Sequence, residues 1–170
     1  GLLQNNQDDK FYQVVVFLCL AYINGNNPEG TNDAHVLLNN FVDAMNKSDN
    51  KLVRALILFV QSALCQRQGD MNTAREHLQS CLGISNGSLA HTHITAMALN
   101  ILGSTFLKQN FNLEQSQQVL KSALGLAHRS GDLNTKLLSL QLLSALYTRN
   151  NDSLNQTYNM SYLNQTVDVM

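Results

Sequence analysis

Four stretches of this chain repeat one apolar–small–apolar pattern at almost constant spacing. They are Val15/Cys19/Tyr22, Leu58/Ser62/Cys65, Leu99/Gly103/Phe106 and Leu140/Ser144/Tyr147. The small slot holds Cys19, Ser62, Gly103 and Ser144 in turn. A fixed period, here about 41–43 positions, marks a repeat array in which each unit buries its apolar face against its neighbours. A second pattern follows each first one: Ala34/Leu38/Phe41, Ala74/Leu78/Cys81, Ser116/Leu120/Ala123 and Gln156/Met160/Leu163. Spacings of four and three put each set on one stripe of an α-helix. Each unit therefore reads as a helix hairpin, and the chain as an all-α, antiparallel hairpin array of about four units over 1–170. The units are expected at 11–46, 50–84, 89–129 and 132–166.

Turn chemistry falls between the stripes. Asn24 to Gly30 closes the first hairpin, Gln68-Gly69-Asp70 the second, Asn110 the third and Asn150-Asn151-Asp152 the fourth. Gly and Asn accept the left-handed conformation that ends a helix, and Asp or Ser caps the next. Ser88 and Asp132 are further expected caps. The small slot has a physical reason, because a large side chain there would force two crossing helices apart. Gly103 inside a helix costs about 1 kcal/mol relative to Ala, which a close contact would offset. Tyr22, Cys65, Phe106 and Tyr147 are expected to fill space against the following hairpin.

This arrangement resembles the tetratricopeptide repeat, with one departure. The usual unit has about 34 residues, and the units here are longer by roughly two helical turns. The excess lies between hairpins, in the stretches from Phe41 to Leu58, Cys81 to Leu99 and Ala123 to Leu140. That predicts longer helices rather than longer loops. The first unit is already under way at Tyr12 to Phe17, so the chain reads as a segment of a longer array. The polar stretch from Tyr158 to Met170 is expected to be a capping helix or a frayed end.

Composition narrows the function. Eleven Lys and Arg against twelve Asp and Glu leave a net charge of −1, so no strong field draws the chain to nucleic acid or an anionic membrane. No apolar run approaches the length a membrane helix needs, and no signal-peptide pattern opens the sequence. Cys19, Cys65 and Cys81 are odd in number, lack metal-ligand spacing and fall on apolar faces, which suits buried thiols in a reducing compartment. Several Asn-x-Ser/Thr triplets, including those at Asn86 and Asn155, are read as products of an Asn-rich composition.

Motifs for chemistry are sparse. There is no Gly-rich phosphate loop and no HExxH or CxxC. His91 and His93 are two positions apart, and such residues on a helix point in different directions, so the pair reads as a solvated helix start. No Ser/His/Asp arrangement or carboxylate pair is positioned for catalysis. The expectation is a non-enzymatic protein without cofactor or metal.

One polar regularity stands out. Arg67, Lys108 and Arg149 occupy one slot of successive units, at an identical interval, at the end of the first helix. In a tetratricopeptide superhelix that helix lines the concave face, so the three cations suit an acidic or extended peptide. The plainer reading is favourable interaction with the helix dipole, about 0.3–1 kcal/mol each. Asn100 is a further candidate peptide contact, with Phe59 and Gln141 in its equivalent slots.

Ordered local strings carry a closer resemblance: Leu82 to Asn86, Ala96 to Phe106, Ser122 to Ala127 and Asp132 to Leu146, with Tyr22 to Asn26 ahead of them. Together they resemble the C-terminal part of the tetratricopeptide subunit of the cohesin loader, the Mau-2/Scc4 type. The resemblance implies a scaffold that holds the extended N-terminal segment of a large HEAT-repeat loader subunit. It implies a role in cohesin loading and sister-chromatid cohesion, nuclear and chromatin-associated, with room for residence in the cytoplasm too. Cohesin and chromatin would be indirect partners, and no direct nucleic-acid or membrane binding is implied. The alternative from the repeat alone is a generic tetratricopeptide adaptor or sensor domain, for instance of a signalling ATPase or a ubiquitin-ligase complex.

Overall fold

The computed structural model describes residues 2–25, 27–85, 92–110 and 112–170, with side chains from residue 7 onward. Eight helices account for nearly all of them: α1 (Leu2–Asn24), α2 (Gly30–Asn46), α3 (Lys51–Gln68), α4 (Met71–Ser85), α5 (Thr92–Gln109), α6 (Leu113–Ser130), α7 (Leu133–Arg149) and α8 (Ser153–Asp168). The described residues contain no strand. The chain divides into two compact units, Gly1–Ser85 and Asn86–Met170.

Each unit holds two hairpins. In the first, α1 pairs with α2 and α3 with α4, and α3 also packs on both helices of the hairpin before it. In the second, α5 pairs with α6 and α7 with α8, and α7 likewise packs on both α5 and α6. The four hairpins occupy 2–46, 51–85, 92–130 and 133–168. The long period resides in the helices, as the spacing predicts. Helix α6 runs on from Ala123 to Ser130, α7 starts at Leu133, well ahead of Leu140, and only Gly131 and Asp132 lie between them.

The turns use the expected residues. Gly69 (φ 84°) and Gly131 (φ 71°) end α3 and α6 in the left-handed region, where a Cβ would be strained. Asp70 then caps α4, accepting from the Thr73 amide at 3.1 Å and its hydroxyl at 2.6 Å. Asp132 caps α7 through the Thr135 amide at 3.0 Å, and Asp152 caps α8 through the Asn155 amide at 3.1 Å. Asn112 (φ 48°) caps α6, accepting from the Gln115 amide at 3.1 Å while its own Nδ2 donates to Gln115 Oε1 at 3.0 Å. This reciprocal pair satisfies an orphan donor at the helix start. Ser88 lies outside the described residues.

Small slots set the helix spacing. A Cβ on Gly103 would stand 2.5 Å from Leu120 Cγ and 2.6 Å from its Cδ2, so α5 and α6 cross where Gly103 admits Leu120. The Ser116 hydroxyl donates to the Gly103 carbonyl at 2.9 Å beside that contact. Leu120 is fully buried and joins Leu107, Leu143, Leu146 and Tyr147 in one cluster, with Leu113, Leu124 and Leu142 packed against it. Full burial of one such side chain stabilises by about 1.5–3 kcal/mol. In the first hairpin the close approach comes from Gly30, whose missing Cβ would collide with the Tyr22 carbonyl of α1. In the second, Cys81 takes the small slot of α4, and its thiol donates to the Ala55 carbonyl of α3 at 3.2 Å.

Two slots differ from expectation. Tyr22 is partly exposed, and the buried apolar residue at that end of α1 is Ile23. In α8 the buried residues are Asn159 and Thr166, while Met160 is exposed. The reason is the Asn159 amide, which donates to the Leu140 carbonyl at 2.8 Å and to Ser144 Oγ at 2.7 Å, so α8 is turned to bring it inward in place of its neighbour. Phe106 and Tyr147 are buried as expected.

Two glycines in the third hairpin should respond oppositely. Gly103→Leu overpacks the crossing and should cost about 1–3 kcal/mol in urea denaturation. Gly125 in α6 has only Arg129 Nη1 near its open Cβ position, at 3.8 Å. Gly125→Ala should therefore gain about 0.5–1 kcal/mol. A Gly103→Leu protein as stable as the parent would contradict the hairpin register.

Candidate functional site

The cations at the helix ends are placed by their long side chains against the hairpin before them. Arg67, in the last turn of α3, donates from Nη2 to the Ile23 carbonyl near the end of α1, at 2.5 Å. Arg149, in the last turn of α7, donates from Nη1 to the Leu107 carbonyl near the end of α5. The two contacts are equivalent in the repeat. Ile23 and Leu107 each lie immediately before the slot that matches the arginine. The last four carbonyls of a helix have no intrahelical partner and carry partial negative charge. Each arginine thus neutralises the end of the preceding helix A and pins one hairpin to the next. The acceptor carbonyl belongs to the neighbouring hairpin, a contact that neither sequence reading pointed to, while each arginine also lies in the last turn of its own helix. Arg67 also borders a groove lined by Ile23, Gly25, Pro28 and Thr31. Lys108 is exposed and makes no such contact among the described residues.

Asn100 is placed in the interior, 0% exposed, and is not on a surface a peptide can reach. Its Nδ2 donates to the Thr135 carbonyl of α7 at 3.1 Å, and its Oδ1 accepts from the Ser139 hydroxyl at 2.7 Å. Both ends of the amide are consumed in joining α5 to α7. The candidate peptide contact is corrected to an inter-hairpin bridge. Asn159 similarly ties α8 to α7. Neither role was read from the sequence, although Asn100 and Ser139 fall among apolar residues of their helices, the one available signal that a polar group is buried with a partner.

The titratable groups are held structurally. Burial pushes the Cys19 thiol up to about 11 and the Cys81 thiol up to about 12, so both are protonated and unreactive near neutrality. The described cysteines are unpaired. His93 Nδ1 lies 2.5 Å from Asp132 Oδ2, an ion pair only when the ring is protonated. Burial raises the Asp132 carboxyl, but hydrogen bonds from Thr135 and the pairing with His93 outweigh it and hold the group below the usual carboxylate range. Lys136 Nζ stands 4.4 Å over the Tyr162 ring, and the Tyr162 hydroxyl is 3.3 Å from His128 Nδ1, which ties α6, α7 and α8 together. His91 lies outside the described residues. Among the described residues no three of His, Cys, Asp and Glu gather where they could hold a metal ion, and no helix is long and apolar enough to cross a membrane.

These features define an array of helix hairpins in which many of the described polar groups cap helices or join neighbouring hairpins. Comparison with known families identifies the kind of array. Residues 5–153 match the model of the cohesin loading factor family, and the chain belongs to that family. It is 26% identical over 146 residues to "Sister chromatid cohesion protein SCC4" of Arabidopsis thaliana. That alignment covers 86% of this chain and 20% of the relative, so the chain spans about a fifth of the relative's length. No solved structure matches it.

Two outcomes follow from the site. Arg149→Gln removes the guanidinium from the Leu107 carbonyl, which keeps only the Asn110 amide at 3.1 Å, and should cost about 1 kcal/mol in thermal denaturation, whereas Lys108→Gln should cost only the few tenths its own helix end provides, about 0.3 kcal/mol. For Asp132, the folded carboxyl is depressed below its unfolded value. Its contribution is therefore full above the unfolded pKa of about 4 and is lost as pH falls through the folded value. Asp132→Asn should flatten the fall of stability with acid below about pH 4 in acid-denaturation curves.

Proposed function

We propose that this chain is a non-enzymatic scaffold segment of a cohesin loader, acting in the nucleus to support cohesin loading and sister-chromatid cohesion. Within that assembly it contributes to holding the extended N-terminal segment of a large HEAT-repeat loader subunit. The observation that carries this reading is the family match across residues 5–153. The hairpin architecture supports it, because stacked helix pairs build extended surfaces suited to polypeptide ligands. Of the residues considered for the peptide, Lys108 is the exposed cation without a partner among the described residues. Arg67 and Arg149 would offer only what their carbonyl contacts leave free.

The test is capture of the full-length protein from nuclear extract with mass spectrometry of its partners. The large loader subunit should co-purify at near-stoichiometric amount, and depletion of the protein should lower chromatin-bound cohesin. A stable complex with an unrelated assembly, and unchanged cohesin on chromatin, would sink the reading. Lys108→Gln should weaken capture of the large subunit with little change in the melting temperature.

A further inference from the structure

The turn that closes the first hairpin opens on an Asn-Gly pair, Asn24-Gly25, and the sequence holds one other, Asn86-Gly87. The pairing carries a chemistry of its own. The backbone nitrogen that follows an asparagine can attack the side-chain amide carbon and close a five-membered ring. Glycine in second place leaves that nitrogen unshielded and its backbone free to turn. Asn24 is the last residue of α1, where a helix frays first, and it is exposed. Asn100 and Asn159, by contrast, are buried with their amides spent on α7. Two contacts hold the last turn of α1 closed. The Gly25 amide donates to the Ala21 carbonyl at 2.9 Å, and Arg67 of α3 donates to the Ile23 carbonyl. Asn24, Gly25 and Arg67 line one groove, and Arg67 is the charged residue among its described lining.

We propose that Asn24 is a site of spontaneous deamidation, restrained by Arg67. When the last turn of α1 opens, the Gly25 nitrogen bonds to Asn24 Cγ. The bond from Cγ to the side-chain nitrogen breaks, and ammonia leaves with the proton from the Gly25 nitrogen. Water, the one co-reactant, then opens the cyclic imide at either carbonyl and leaves an aspartate or an isoaspartate. The product carboxylate lies in the groove with Arg67. A carboxylate is a stronger acceptor for a guanidinium than a carbonyl is, so it competes with Ile23 for Arg67. The charge-assisted tie between α1 and α3 is weakened, and a negative charge is fixed at the C-terminal end of α1, where the helix dipole opposes it. The proposal rests on the chemistry of this turn and not on the cohesin-loader reading.

Ageing of the full-length protein in mildly alkaline buffer, followed by peptide mapping with fragment ions assigned to each asparagine, tests this. Asn24 should gain the mass of an amide-to-acid conversion faster than any other described asparagine. Arg67→Gln should speed that conversion about fivefold, because opening the last turn of α1 no longer breaks a charge-assisted bond. Asn86, which belongs to the other unit, should convert at the parent rate in that variant. No acid at Asn24 once Asn86 is largely converted would overturn the site. A parent rate at Asn24 in Arg67→Gln would overturn the restraint, as would a rise shared equally by Asn86, which would mark general loosening of the chain. Asn24→Asp, the product made directly, should lower the melting temperature more in the Arg67→Gln background than in the parent. Equal losses in the two backgrounds would overturn the pairing of the new carboxylate with Arg67.

Discussion

The contact on which the second unit depends is the crossing of α5 and α6 at Gly103. Leu120 enters the space that a Cβ on Gly103 would take, and Ser116 bonds the Gly103 carbonyl beside it. Leu120 can then reach the cluster shared with Leu143, Leu146 and Tyr147 of α7. One glycine therefore couples packing within a hairpin to packing between hairpins. The first unit solves the same problem with other small residues, Gly30 against the Tyr22 carbonyl and Cys81 against the Ala55 carbonyl. An array of this kind has no single centre, so its stability is a sum of such local contacts and of the terms between neighbours.

Polar groups supply part of the coupling between neighbours. Arg67 and Arg149 satisfy carbonyls of the preceding helix A, Asn100 joins α5 to Thr135 and Ser139 of α7, and Asn159 joins α8 to α7. Buried polar groups are costly when unpaired, so each of these bonds favours one register between helices over its alternatives. That is a useful property in a scaffold whose binding surface would be assembled from successive repeats. A slip between hairpins would leave an amide or a guanidinium without its carbonyl.

Much of the fold was legible because the signal recurs. Four copies of a small residue in a fixed slot, with turn residues between them, set hairpin number, helix length and the role of Gly103. What could not be read was which polar residues turn inward. Asn100 resembles a ligand-binding residue in a one-dimensional reading, since its partners Thr135 and Ser139 lie far along the chain in α7. The cations were found as a series, but their carbonyl acceptors, Ile23 and Leu107, lie on another hairpin. Backbone acceptors leave no mark in the sequence. The rotation of α8 is hidden for the same reason: Asn159 and Met160 are adjacent, and the acceptors that draw Asn159 inward, the Leu140 carbonyl and the Ser144 hydroxyl, lie in α7.

The most direct measurement of the account is a double-mutant cycle between Gly103→Ala and Leu120→Ala in urea denaturation. If Gly103 is small because Leu120 fills its space, truncating Leu120 should relieve most of the cost of the added methyl. The cycle should then show a coupling of about 1 kcal/mol or more. Additive losses from the two substitutions would contradict the crossing on which the hairpin register, and with it the reading of this chain as a stacked scaffold, is built.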